Sequence, residues 1–443
     1  MSKLSNYISV QNGYAFKSKD FIKNLSGMPV IKIGNVTGGS FIDLSSYDTI
    51  SEEIARKVKS FQTKDDDILI AMTGANVGKV SRIAKGTQPC LINQRVGRFI
   101  LKEDCPYSSD FIYYLVSSNK SFQYFSNTAD GAAQPNISGK LIEDLEFPDI
   151  SPKSANKAGK YLKVLDEKIQ LNTQINQTLE QIAQALFKSW FIDFDPVRAK
   201  VQALSDGLSL EQAELAAMQT ISGKTPEELT ALSQTQPDRY AELAETAKAF
   251  PCEMVEVDGV EVPKEWEVKP LGDLISFVKG KKPKAVSPNQ EENMLPHILT
   301  SSLEGKYNEF CESNKLITVE YQNTIMLMDG SNSGRVAIGH NGVIGSTLAK
   351  INLDNNKLWA IIYQFLKHKE ADIQANTTGT TIPHTDKNRV NNYLMVIPNN
   401  FLLEKFTELF DNSLLKIISN RNQIISLETT RDLLLPRLLS GVI

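Results

Sequence analysis

The chain has 443 residues, 41% of them hydrophobic and 23% charged, an ordinary mixture for a soluble protein long enough to hold two or three cored domains. No window of roughly 18 apolar residues marks a membrane span, and the first residues lack the apolar stretch of a secretory leader. The four cysteines, Cys90, Cys105, Cys252 and Cys311, are scattered, which suits neither a disulfide framework nor a zinc site, so a cytoplasmic location is expected. The net charge of −4 conceals an uneven distribution, since residues 201–262 carry −9 and the flanking regions are near neutral or slightly basic. A near-neutral lobe can still own a basic face.

Taken in chain order, short apolar runs come first. Pro29-Val30-Ile31-Lys32-Ile33 and Ile68-Leu69-Ile70-Ala71-Met72 are bounded by Gly, Asn and Asp, the pattern of strands between turns. A helix is predicted over 109–125. Ser151-Pro152 then opens a long helix, with Ser as the N-cap and Pro at the first helical position. Its apolar stripe runs through Leu162, Leu165, Ile169, Ile175, Leu179, Ile182 and Leu186. The segment 195–262 reads as an acidic helical linker. In it Thr225-Pro226-Glu227-Glu228 forms a capping box, and its acidic face is either a spacer or a partner surface. Strands return at Thr324-Ile325-Met326-Leu327-Met328 and Gly342-Val343-Ile344, followed by a helix over 358–369. A second long helix carries Phe406, Phe410, Ile417, Ile424, Leu427 and Leu434 at heptad intervals, with polar Ser413, Asn420 and Arg431 completing the seam.

The two halves repeat each other. Asp67-Ile68-Leu69-Ile70-Ala71-Met72-Thr73-Gly74-Ala75-Asn76-Val77-Gly78-Lys79-Val80 aligns without a gap to Asn323-Thr324-Ile325-Met326-Leu327-Met328-Asp329-Gly330-Ser331-Asn332-Ser333-Gly334-Arg335-Val336. Gly131 to Asn136 matches Gly379 to His384 at an offset of 248, and the same offset carries Ile169 onto Ile417, Asn172 onto Asn420 and Leu186 onto Leu434. Such a repeat means two copies of one structural plan. The reading is an α+β chain with two globular lobes, 1–150 and 263–400. A helix over 151–194, the linker and a helix over 401–443 complete it. A one-sided stripe of about 35 residues, roughly 50 Å long, needs a partner helix. An antiparallel coiled coil with pseudo-twofold symmetry is therefore expected, pairing Leu165, Ile169, Asn172, Leu179, Ile182 and Leu186 of one helix with Phe410, Ile417, Asn420, Leu427 and Leu434 of the other. Asn172 and Asn420 should lie close together and fix the register.

Catalytic signatures are missing. Gly74-Ala75-Asn76-Val77-Gly78-Lys79 has three residues between its glycines where a phosphate loop has four, and Val80 stands where the loop requires Ser or Thr. Phe194-Asp195-Pro196-Val197 reads as a helix stop. The four histidines, His297, His340, His368 and His384, lack metal-ligand spacing, so neither catalytic nor metal-binding residues are assigned. Side chains able to read bases or neutralise phosphate are plentiful in the loops. In the first lobe they are Lys79, Arg82, Gln94, Arg95, Arg98, Gln134, Asn136 and Lys140. In the second they are Lys281, Lys282, Arg335, Thr380, Thr381, His384 and Lys387.

Three segments carry a resemblance. Leu186-Phe187-Lys188-Ser189-Trp190-Phe191-Ile192-Asp193-Phe194-Asp195-Pro196-Val197-Arg198, Val262-Pro263-Lys264-Glu265-Trp266-Glu267-Val268-Lys269-Pro270-Leu271-Gly272-Asp273 and Leu433-Leu434-Leu435-Pro436-Arg437-Leu438-Leu439-Ser440-Gly441 are similar to the central, second-lobe and C-terminal segments of the specificity subunit of type I restriction-modification enzymes. The resemblance implies that each lobe is a target-recognition domain for one half of a bipartite, asymmetric DNA target. It implies also that the helices set the gap and dock two modification subunits, with two ATP-driven restriction subunits joining. S-adenosylmethionine, ATP and Mg would then sit on those partners, and this chain would be non-catalytic. The competing readings are a coiled-coil scaffold whose lobes bind proteins, and a self-contained enzyme.

Overall fold

The computed structural model describes residues 2–22, 26–130, 135–257, 259–379 and 381–441. The chain forms two compact units, Met1–Leu171 with Ile424–Ile443, and Asn172–Gln423. Each unit holds one lobe and part of both long helices, so packing divides the chain inside the helices and not at the lobe edges.

Among the described residues the first lobe has eight strands: β1 (Ile8–Asn12), β2 (Phe21–Ile22), β3 (Met28–Ile31), β4 (Asp48–Ile50), β5 (Ile68–Ala71), β6 (Val80–Arg82), β7 (Leu91–Ile92) and β8 (Val96–Leu101). They make two four-stranded sheets ordered β1-β8-β5-β6 and β2-β4-β3-β7, with β3 and β7 parallel. Side chains alternate across a strand, and β5 uses both of its faces. Ile68 and Ile70 join the core shared with the helices, whereas Leu69 packs with Ile31, Ile83 and Ile92 in a second core. That double burial explains why the segment reads as a continuous apolar run. The helices are α1 (Glu52–Lys57), α2 (Ser109–Ser117), α3 (Asn119–Thr128) and α4 (Gly139–Glu143). The single helix expected over 109–125 is broken at Ser118. Its extended backbone and its hydroxyl, which accepts from the Ser121 N–H, start α3 afresh.

Helix α5 (Pro152–Phe191) begins as its sequence suggests, with the Ser151 hydroxyl accepting from the Ser154 N–H at 3.2 Å. It stops before Phe194, which is left-handed at φ 56° and precedes α6 (Asp195–Ser205). Helices α6, α7 (Leu210–Ser222), α8 (Pro226–Thr235) and α9 (Pro237–Ala249) follow. A small core of Ala217, Met218, Leu229, Leu232 and Ala247 joins α7, α8 and α9, and the Thr225–Glu228 capping box is formed. The linker is not helical to its end, because β9 (Met254–Val257) and β10 (Val260–Pro263) close it as an antiparallel pair.

The second lobe comprises β11 (Glu267–Pro270), β12 (Ile275–Lys279), β13 (Met294–Ile298), β14 (Phe310–Glu312), β15 (Thr318–Val319), β16 (Ile325–Leu327), β17 (Val336–Ala337), β18 (Gly342–Ile344), β19 (Leu348–Leu353) and β20 (Leu394–Ile397), with α10 (Trp359–Ala375) and α11 (Lys387–Asn391). Its sheet β12-β19-β16-β17 repeats β1-β8-β5-β6 strand for strand, and β13 pairs in parallel with β18 as β3 does with β7. Strand β16 divides its side chains as β5 does, Ile325 and Leu327 to one core and Met326 to the other.

Helix α12 (Asn400–Leu439) runs antiparallel to α5 within each unit. In the first unit Leu438 joins the core that holds Ala155, Ala158 and Leu162, and Arg431 reaches Asp166 at 2.8 Å. In the second, Asn172 donates to Gln423 at 2.7 Å and Asn420 to Asn176 at 2.9 Å. Asn172 and Asn420 are both buried, but each bonds to a residue about one turn beyond the other. Phe410 and Ile417 are buried, and Leu165, Ile169, Leu179, Leu186, Leu427 and Leu434 half-buried. Ile182 departs from the expected seam, facing solvent at 56% exposure. Beside the helix pair, Phe187, Trp190, Phe191, Phe250, Trp266 and Phe406 form an aromatic hub, with Trp190–Phe250 and Phe191–Phe406 centroids each 5.2 Å apart. This hub accounts for the aromatic residues at the end of α5.

Candidate nucleic-acid interface

Loops converge at one edge of each lobe, and glycine makes the convergence possible. At Gly13, just after β1, an added Cβ would lie 2.1 Å from the Asn93 carbonyl oxygen. Only glycine lets the chain cross there, and the main chain then locks on both sides. The Tyr14 N–H donates to Ile92 and the Gln94 N–H to Tyr14, each at 2.9 Å. Beside them Met72 donates to Arg95, Gly74 to Pro135 and Ile137 to Met72, all at 2.9 Å. Gln94, Arg95 and Asn136 project exposed side chains from this frame, Tyr14 is 38% exposed, and exposed Lys140 lies close by in chain on α4.

The second lobe rebuilds the frame. A Cβ at Gly280 would meet the Gly345 oxygen at 2.3 Å. Met328 donates to Thr347 at 2.8 Å, and Gly330 to Pro383 and Thr385 to Met328 at 2.9 Å. The backbone bridge between Thr73 and Asn136 recurs as one between Asp329 and His384, and Asp130–Asn136 recurs as Thr378–His384. Asn136 and His384 therefore occupy the same place in the two copies. Lys281, Lys282, Thr381, His384 and Lys387 are exposed here, Lys387 lying 5.5 Å over the Phe277 ring. Lys279 and His384 each reach a different oxygen of Asp329 at 2.8 Å.

Four candidates are occupied elsewhere. Arg82 is buried, 1% exposed, and donates to Asp110, the Tyr114 hydroxyl and Asp166 at 3.2, 2.8 and 3.3 Å. Arg98 is 6% exposed and spends its donors on Gln11, Gln62, Asp67 and Ser60. Both belong to the interior: a buried guanidinium needs carboxylate and carbonyl partners, and here it has them. Arg335 is half-buried and paired with Glu304, and half-buried Lys79 donates to Asn76 at 2.9 Å. Gln134 and Thr380 lie outside the described residues. Tyr14 was missed. Its signal is a further repeat, Ile8-Ser9-Val10-Gln11-Asn12-Gly13 against Ile275-Ser276-Phe277-Val278-Lys279-Gly280, which places Tyr14 opposite Lys281.

Among the described residues no cluster of His, Cys, Asp and Glu could hold a metal ion, and no helix is long and apolar enough to cross a membrane. The arrangement is a pair of similar frames bearing different hydrogen-bonding side chains. The family model described as the type I restriction modification DNA specificity domain matches residues 1–181 and 263–427. The chain belongs to this family. Among specificity-subunit relatives, the chain is 40% identical over 362 residues to the type I restriction enzyme HindI specificity subunit of Haemophilus influenzae, covering 75% of this chain and 77% of that one. It is 24% identical over 433 residues to the MjaIX specificity subunit of Methanocaldococcus jannaschii, covering 94% and 86%. The crystal structure of a type I S subunit from M. genitalium shares the fold, with a TM-score of 0.56 at 15% identity over 99% of this chain and 95% of that one. Specificity subunits recognise DNA as non-catalytic members of a type I restriction-modification complex, and this chain is of that kind.

Proposed function

We propose that each lobe reads one half of a bipartite, asymmetric DNA target through its converging loops. The observation that carries this reading is the duplicated frame, alike in backbone and different in exposed side chains: Tyr14, Gln94, Arg95 and Asn136 in one copy, Lys281, Lys282, Thr381 and His384 in the other. Arg pairs with guanine and Asn or Gln with adenine, while Lys neutralises phosphate. Helices of 40 residues, about 60 Å long, are the ruler that sets the gap between half-sites. Two half-sites one turn of duplex apart lie about 34 Å from each other, within that reach.

The outer faces of the helices dock two modification subunits, and two restriction subunits complete the complex. Tyr161, Val164 and Leu433 in the first unit, and Ile182, Leu409 and Leu415 in the second, are 46–67% exposed. Apolar side chains repeated along a helix are characteristic of a surface awaiting another helix. S-adenosylmethionine, ATP and Mg belong to those partners.

The test is to map methylated sites in DNA from cells that express this chain with its modification partner. A split motif is expected. Exchanging 263–400 for the second lobe of a relative should replace one half of that motif and leave the other unchanged. Methylation indifferent to sequence, or a motif untouched by the exchange, would remove the reading in favour of protein-binding lobes.

A further inference from the structure

Asp329 fixes which nitrogen of the His384 ring donates to it. Asp329 Oδ1 lies 2.8 Å from the His384 Nδ1, and Asp329 Oδ2 accepts from Lys279 at 2.8 Å. Burial works against the Asp329 charge, yet the hydrogen bonds from Lys279 and His384 hold its carboxyl below the usual value. An ionised carboxylate has no proton to give, so the imidazole Nδ1 must be the donor. In the neutral ring the proton then sits on Nδ1, and Nε2 is left as an acceptor. Backbone bonds fix the residue that carries the ring: the His384 and Thr378 main chains exchange hydrogen bonds of 2.7 and 2.8 Å, and its neighbour Thr385 donates to Met328. The His384 side chain is 50% exposed, at the position that Asn136 occupies in the other copy.

We propose that His384 determines specificity at one base pair of the second half-site, its Nε2 accepting from the exocyclic amino group of adenine or cytosine, with Asp329 as the positioning residue that sets the tautomer. In the major groove these two amino groups are the hydrogen-bond donors, whereas guanine and thymine present oxygen acceptors. The first lobe has Thr73 where this one has Asp329, so the device belongs to one copy alone. The inference rests on the reading that the second lobe contacts one half-site.

The experiment maps methylation motifs produced by the full chain with its modification partner, using D329N and H384A. In D329N the new amide donates to Nδ1 and moves the ring proton to Nε2. The preference at one position of the second half should then turn from adenine or cytosine towards guanine or thymine, with the first half unchanged. H384A should relax that position alone, by about tenfold in relative methylation. An unchanged motif in both variants overturns the inference, as does relaxation in both halves. Loss of all methylation by H384A overturns it too, because one base contact is then not what the residue supplies. If D329N methylates nothing, H384A decides alone by the same criteria. A lobe exchange that moves half of the motif while H384A is silent sinks this inference only; an exchange that moves nothing sinks the reading beneath it.

Discussion

Individual side chains divide into those that read and those that hold. Asp166 is 1% exposed and accepts from Arg82, Tyr114 and Arg431. Removing Arg82 takes one of the two guanidinium groups from this buried carboxylate and leaves Arg431 alone to compensate it, a loss of about 3 kcal/mol. Arg82→Ala should therefore lower the thermal midpoint sharply while leaving the motif methylated by the surviving folded fraction unchanged; an altered motif would return Arg82 to the interface. His340 offers a second test. Burial, with Arg421 and Arg335 adding to it, pushes its imidazole down to about 4 from the ordinary value near 6.5, while the Tyr307 hydroxyl engages its Nδ1 at 2.8 Å. Between those two pH values the unfolded chain binds a proton that the folded chain refuses. Stability is thus full above about 6.5 and falls by up to about 3 kcal/mol as pH drops to 4. His340→Gln should flatten that part of the pH–stability curve, measured by denaturant midpoint. Sequence could not separate Arg82 and Arg98 from Arg95, because the partners that bury them, Asp110 and Asp166 for one and Gln11 and Asp67 for the other, are distant in the chain.

At the scale of elements, what was legible followed local rules. The start of α5, the capping box of α8 and the paired glycine loops each depend on a few adjacent residues, and all appear where those residues sit. The break at Ser118 was not legible, since it interrupts an otherwise helical apolar pattern by a single cap. The continuous apolar run of β5 was visible, but its meaning, two cores served by one strand, depends on the second sheet. The seam asparagines were found, and only their partners differ. Because Asn172 bonds to exposed Gln423 and Asn420 to half-buried Asn176, replacing both asparagines with Leu leaves those partners within reach of water. The double variant should melt at the same temperature or higher while tolerating altered register, read as more than one spacing in the methylation map. A large loss of stability would show that the asparagines are structural anchors.

For the whole molecule, duplication is the dominant fact. Internal self-similarity makes it legible, whereas Tyr14, which stands opposite Lys281, stays hidden because its stretch of the repeat is short and lies at a different offset. Deleting one heptad from both α5 and α12 keeps the seam in phase and shortens the ruler by about 10 Å. The preferred gap between half-sites should contract by about three base pairs, or the complex should fail to assemble; a methylation map with the original gap would refute the ruler.

The composition of the first unit bears on how the protein is made. Its core waits for Leu438, and Asp166 waits for Arg431, yet both arrive on the ribosome only after the whole of Asn172–Gln423 has been translated. The second unit is contiguous and can close first. The earliest residues synthesised thus belong to the last unit completed, and a released chain ending at residue 423 should expose its first lobe to protease while the second resists.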